Sequence, residues 1–157
     1  FFMDQKYINI YNNLIKLTTN KDLYKGFDKQ DTFSDRLTYF LLHFAFFLKV
    51  YNGKNDKKTM QDLYDFIFRQ LEISIREIGY GDQSVNKKMK DYLNLFHDIL
   101  PKIQDWQEID IKKKGSILKA FINIKNNDLD LIDYFDKYVE NLSKSTFNYH
   151  LKGVINP

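Results

Sequence analysis

Cysteine is absent from this chain. That excludes disulfides and thiolate metal sites, and it suits a reducing compartment. Only two prolines and six glycines interrupt 157 residues. So few breakers leave little room for the many tight turns of a sandwich or barrel. A strong charge of one sign is missing too. The 24 basic and 21 acidic side chains leave a formal charge of +3, far from a nucleic-acid-binding tail. No apolar run reaches the ~20 residues of a membrane span. The longest, Leu37 to Leu48, is broken by Thr38 and His43. The opening Phe1-Phe2-Met3-Asp4 lacks a charged n-region followed by an apolar core, so no secretory signal is expected. A soluble protein, or one peripheral to a membrane, is the expectation.

What is abundant is aromatic and helical. There are 14 Phe and 11 Tyr, and the apolar residues recur at helical spacing. The sequence predicts an all-α fold, a single compact bundle of six to seven helices in one domain spanning residues 1–157. Tyr7, Ile8, Tyr11, Leu14 and Ile15 mark a first helix over Asp4 to Thr18. A short helix over Lys21 to Gly26 follows. Asp31 or Thr32 caps the next, Phe33 to Tyr51, which is apolar nearly all round and reads as a central helix enclosed by its neighbours, or else as one that leaves part of itself as an exposed groove for an apolar partner. A loop, Asn52 to Asp56, leads to a long helix that Asp56 or Thr59 starts and that ends near Ile78. Another covers Ser84 to Leu100, with Pro101 expected to kink it or begin a new turn. Lys114-Gly115-Ser116 reads as a cap for Ile117 to Lys125. Asn126-Asn127-Asp128 breaks the chain before Leu129 to Leu142. Residues 143–157 read as an extended tail.

The densest information lies in Ile75 to Lys90. Gly79 and Gly81 allow the backbone angles of a helix stop followed by a reversal. Asp82 and Ser84 offer oxygens to the amides of the following helix. Arg36, Arg76, Glu77 and Asp82 are candidates for an ion network tying the Phe33–Tyr51 helix to this corner, or for a patch that meets another protein. Arg76 and Glu77, adjacent on a helix, point about 100° apart and need different partners. Arginine is rare here, with Arg36, Arg69 and Arg76 the only three, and a guanidinium can pair bidentately where an ammonium cannot. Lys87, Lys88 and Lys90 beyond the corner, Lys54, Lys57 and Lys58 at the other end of the helix, and Lys112 to Lys114 are solvated faces or contacts to anionic lipid or RNA.

His43 reads as a satisfied core histidine. His97 and His150 show no ligand spacing, and no zinc signature, phosphate loop, nucleophile elbow or dinucleotide fingerprint occurs. Neither a cofactor nor a catalytic constellation is expected. Carboxylates such as Asp128 and Asp130 sit at helix starts, where the helix dipole favours them.

Two segments resemble the ubiquinol–cytochrome c chaperone family, assembly factors of the respiratory ubiquinol–cytochrome c reductase in alphaproteobacteria and mitochondria. One is Leu23-Tyr24, Asp31-Thr32-Phe33, Arg36 and Leu42-His43. The other is Leu63-Tyr64-Asp65, Phe68 and the corner, similar to the family's Leu-Arg-Glu-x-Gly-x-Gly-Asp run. Leu151-Lys152-Gly153-Val154 is similar to the family's ending. This sequence departs from the pattern in three places. Gln70 and Glu72 stand where the family carries two acidic residues. Gln30 replaces a Pro, and Ile75 a Leu.

The resemblance implies a non-enzymatic chaperone with newly made cytochrome b as client. It also implies a small partner chaperone and proximity to the ribosome, without DNA binding. The location implied is the cytoplasmic face of a bacterial inner membrane, or the matrix side of the mitochondrial one. From the residues alone, two other readings stay open: a carrier or enzyme with a small-molecule pocket near His43 and Arg36, and an RNA-binding helical module.

Overall fold

A computed structural model describes residues 5–25, 33–124 and 128–153. Among the described residues there are seven α-helices and no strand: α1 Ile8–Leu17, α2 Phe33–Tyr51, α3 Lys57–Glu77, α4 Asp82–Ile103, α5 Ile111–Phe121, α6 Asp128–Lys144 and α7 Phe147–Lys152. Short 3-10 turns lie at Lys21–Tyr24 and Trp106–Glu108. The predicted all-α bundle is what the chain forms.

Helix α2 is the axis around which the rest assembles. Its apolar residues occupy every face, and Tyr39 and Leu41 to Phe46 have essentially no exposure. A helix with no polar side must be enclosed, and α1, α4 and α6 pack against it. Aromatic rings fill the interfaces. Phe44 stacks on Phe96 of α4 at 5.3 Å. Phe46 stacks on Phe135 of α6 at 5.1 Å and meets the buried Trp106 edge-on, also at 5.1 Å. Burying one such ring contributes about 2–3 kcal/mol, and the ring geometry adds about 1 kcal/mol.

Several helix boundaries differ from the sequence expectation. Asp56, one of the two proposed starters, caps α3 by accepting from the Thr59 amide at 2.7 Å. Helix α5 begins earlier than expected, at Ile111, because Asp110 caps it through the Lys113 amide at 2.8 Å. Gly115 is therefore inside α5 and not a cap. It is a contact residue, since a Cβ there would stand 3.1 Å from Asp128 Oδ2 and 3.7 Å from Ile132 Cδ1 on α6. Pro101 does not end α4, which runs on to Ile103. It sits in the exposed last turn, where water can serve the carbonyl whose amide partner it lacks.

The tail expected to be extended is instead helical as far as Gly153. Helix α6 continues to Lys144, Thr146 caps α7 through the Tyr149 amide at 3.1 Å, and Gly153 closes it in the left-handed conformation. Residues with modest helix propensity are held there by tertiary contacts. Phe147 is buried, Asn9 of α1 donates to the Leu151 carbonyl at 2.9 Å, and His150 Nε2 lies 2.9 Å from the Tyr51 hydroxyl. The expected caps Asp31 and Thr32, and the stops at Gly26 and Asn126-Asn127, lie outside the described residues.

Candidate functional site

The α3–α4 corner is built as its sequence suggested, with one reassignment. Gly79 adopts φ +109°, a conformation open to glycine, and stops α3. Gly81 has φ −73° and ψ 167°, which any residue can adopt, so it is not required for the reversal. Neither Asp82 nor Ser84 caps α4. Asp82 is its first residue, in the turn where the dipole favours a carboxylate.

The Asp82 carboxylate accepts instead from Arg76 Nη1, reaching back across the bend. Arg76 Nε lies 3.4 Å from Glu72 Oε2, one turn earlier on α3. The Asp82 bond first, then Glu72, pushes the guanidinium pKa further up. The clasp is local to the corner, joining Arg76 to Asp82 and Glu72 at the surface. Of Gln70 and Glu72, it is the Glu72 carboxylate that engages Arg76. Glu77 is exposed, its charge adding to the upward pull that burial exerts on Tyr11. Lys88 lies over the exposed Tyr80 ring at 4.6 Å, and Lys87 is solvated.

Beside the corner, α1, α2 and α3 leave an open groove of about 340 Å³. Phe33, Leu37 and Phe40 of α2 form one wall, and Leu71, Ile75 and Ile78 of α3 the other. Ile15 of α1 stands on its rim. Ile15 is 39 % and Ile78 56 % exposed. They are two of only five large apolar residues left open to solvent among the described residues. Polar groups are few. The Tyr11 hydroxyl and Ser74 Oγ pair at 2.8 Å, and Arg36 lies at the edge. The periodicity places Ile15 and Ile78 on the apolar faces of their helices. That spacing is what forms, but among the described residues no element covers them.

His43 is elsewhere. It is fully enclosed between α2 and α6, and its two ring nitrogens are both engaged. Nδ1 lies 2.6 Å from the Tyr39 carbonyl, which can only accept. Nδ1 therefore carries the proton, and Nε2 accepts from the Tyr134 hydroxyl at 2.7 Å. Burial pulls the imidazole pKa down to about 4, against a smaller upward pull from the Tyr39 carbonyl. The alternative of a small-molecule pocket near His43 and Arg36 finds the two residues in different surroundings among the described residues. Arg36 borders an open groove, while His43 is a structural residue outside its lining. No buried side-chain polar atom lacks a partner among the described residues, so the polar groups of this core are saturated.

No helix among the described residues is long and apolar enough to cross a membrane. A family model described as Ubiquinol-cytochrome C chaperone matches residues 25–104. The match takes in α2, α3, the corner and α4, with both long walls of the groove. Leu23-Tyr24 and Leu151 to Val154 lie outside it. No curated protein and no solved structure matches the chain.

Proposed function

Because the chain belongs to the ubiquinol–cytochrome c chaperone family, we propose that it is an assembly chaperone whose client is newly made cytochrome b. The groove of α1, α2 and α3 receives an apolar segment of that client. The observation that carries this reading is a saturated core next to an uncovered apolar groove, lined by the helices the family model spans. Contiguous exposed apolar surface of this kind suits a protein partner. The mechanism is binding: the groove shields apolar client surface until assembly proceeds, and the corner sets the angle between α3 and α4. Such a client places the protein at the face of the membrane where cytochrome b is inserted.

The test is affinity capture from cells in mild detergent, comparing wild type with Ile15→Lys/Ile78→Lys. Both positions are exposed enough to accept lysine without unfolding. Co-purification of cytochrome b with wild type, lost in the folded double variant, is the expected result. Equal capture by both proteins removes the groove from the mechanism. Normal levels of assembled reductase in a deletion strain refute the assembly role.

A further inference from the structure

At the end of the bundle away from the groove, a second cleft of about 370 Å³ opens between the last turn of α2, the first turns of α3 and the end of α4. Lys49 and Lys57 are its charged lining residues, and no carboxylate lines it. Three amides, Asn52, Gln61 and Gln104, complete its polar rim. Its floor is apolar, contributed chiefly by Leu48, Met60 and Leu100.

Among the described residues, the neighbouring charges leave these two ammonium groups uncompensated. Lys58 is neutralised by Asp62 at 2.9 Å. The Asp56 carboxylate accepts from the Thr59 amide and serves as a cap. Neither Lys49 nor Lys57 forms an ion pair among the described residues, whereas four other lysines pair within their own helix or turn at 2.9 to 3.1 Å. Lys54, on the adjoining turn, adds a further exposed cation. Two uncompensated cations beside an aliphatic floor are complementary to an amphipathic anion.

We propose that this cleft binds the headgroup of an anionic phospholipid and seats the basic end of the bundle on a membrane surface. The phosphate meets Lys49 and Lys57, the amides face the glycerol ester oxygens, and the first acyl methylenes lie on Leu48, Met60 and Leu100. Nucleic acid fits less well. It calls for flat stacking surfaces, and the one aromatic ring in the lining, Tyr64, has its hydroxyl 3.1 Å from His97 Nε2. An acidic peptide would set unpaired backbone amides over the aliphatic floor. The inference goes beyond the client reading and does not require it, since lipid binding is measured without cytochrome b.

Vesicle flotation tests it. The full chain is mixed with phosphatidylcholine vesicles, with or without about 30 % phosphatidylglycerol, at low salt. Flotation with the anionic vesicles only is expected. Lys49→Gln/Lys57→Gln should weaken partitioning about 30-fold, from roughly fivefold per charge, with the circular dichroism unchanged. Lys87→Gln/Lys88→Gln, at the opposite end, should leave it within about twofold. Short-chain dihexanoyl phosphatidylglycerol should shift the amide resonances of Leu48, Met60 and Leu100, and glycerol phosphate should not. Equal loss in the two lysine pairs, or no flotation at all, overturns the proposal. So does RNA binding that depends on Lys49 and Lys57 in a protein that ignores vesicles.

Discussion

His43 accepts the Tyr134 hydroxyl at 2.7 Å and donates to the Tyr39 carbonyl at 2.6 Å, so the core holds one neutral tautomer between α2 and α6. Acid should therefore weaken the fold. Unfolded, the imidazole titrates at its ordinary value of 6.5, while the folded site lowers it to about 4. Between these values the unfolded chain binds a proton that the folded chain refuses, so stability is complete above the upper value and falls as pH drops toward the lower one. The full loss is about 3 kcal/mol. Burial lowers His150 as well, which adds to the loss in the same direction. Urea unfolding at about pH 7.5, 5.5 and 4.5 should show a falling midpoint, and His43→Gln should flatten the profile. A wild-type midpoint that does not move over this range contradicts the assignment.

The two corner glycines should part company. Gly79→Ala places a Cβ at φ +109° and should cost about 1–2 kcal/mol. Gly81→Ala meets open space at an ordinary φ. Its effect should stay within about 1 kcal/mol of wild type, because the gain from restricting the unfolded chain is offset by the poorer fit of Ala at the N-cap of α4. Thermal or urea denaturation of the two variants separates them, and equal destabilisation counts against the described bend.

Arg76→Ala should leave the protein folded with a thermal midpoint close to wild type. Its partners, Glu72 and Asp82, are both solvent-exposed, and exposed ion pairs contribute little and are screened by salt. A collapse of the circular dichroism signal would show that the clasp is a structural requirement. Loss of cytochrome b capture in a folded variant would instead make Arg76 a contact residue.

Tyr51→Phe should loosen α7. The hydroxyl donates to the Leu142 and Ser145 carbonyls, at 2.8 and 3.0 Å, and can accept from His150 Nε2. Removing it leaves buried acceptors without their donor, at a cost of about 1–2 kcal/mol. Amide exchange over residues 147–152 should speed up while that of α2 stays slow. Unchanged protection in α7 would mean that Phe147 alone holds it.

What the sequence disclosed, and what it did not, follows from the range of the forces involved. Helix α2 was readable because no arrangement leaves Phe40 to Leu48 in water. The corner was readable because Gly79 is chemically distinctive. Asp110 went unnoticed as a cap because Lys114-Gly115-Ser116 looked like better punctuation. Gly115 answers to Asp128 and Ile132 on another helix, which local sequence does not report. Helix α7 is shorter than any helix that stands alone in water, and α1 and α2 supply the contacts that hold it. A groove on the Phe33–Tyr51 helix was readable as an alternative, but its second wall and rim were not. Ile15 and Ile78 lie on the apolar faces of their helices, and only the assembled bundle shows that they stay exposed among the described residues.

Helix α3 joins the lysine-flanked cleft, entered at Lys57, to the groove rim at Ile78. Along a straight helix that separation is about 30 Å. A polypeptide emerging from a bilayer beneath Lys49 and Lys57 would need about nine extended residues to span it. If both proposals hold, the length of α3 would act as a ruler: a client segment still tethered at the lipid would reach the groove only through a loop of at least that length.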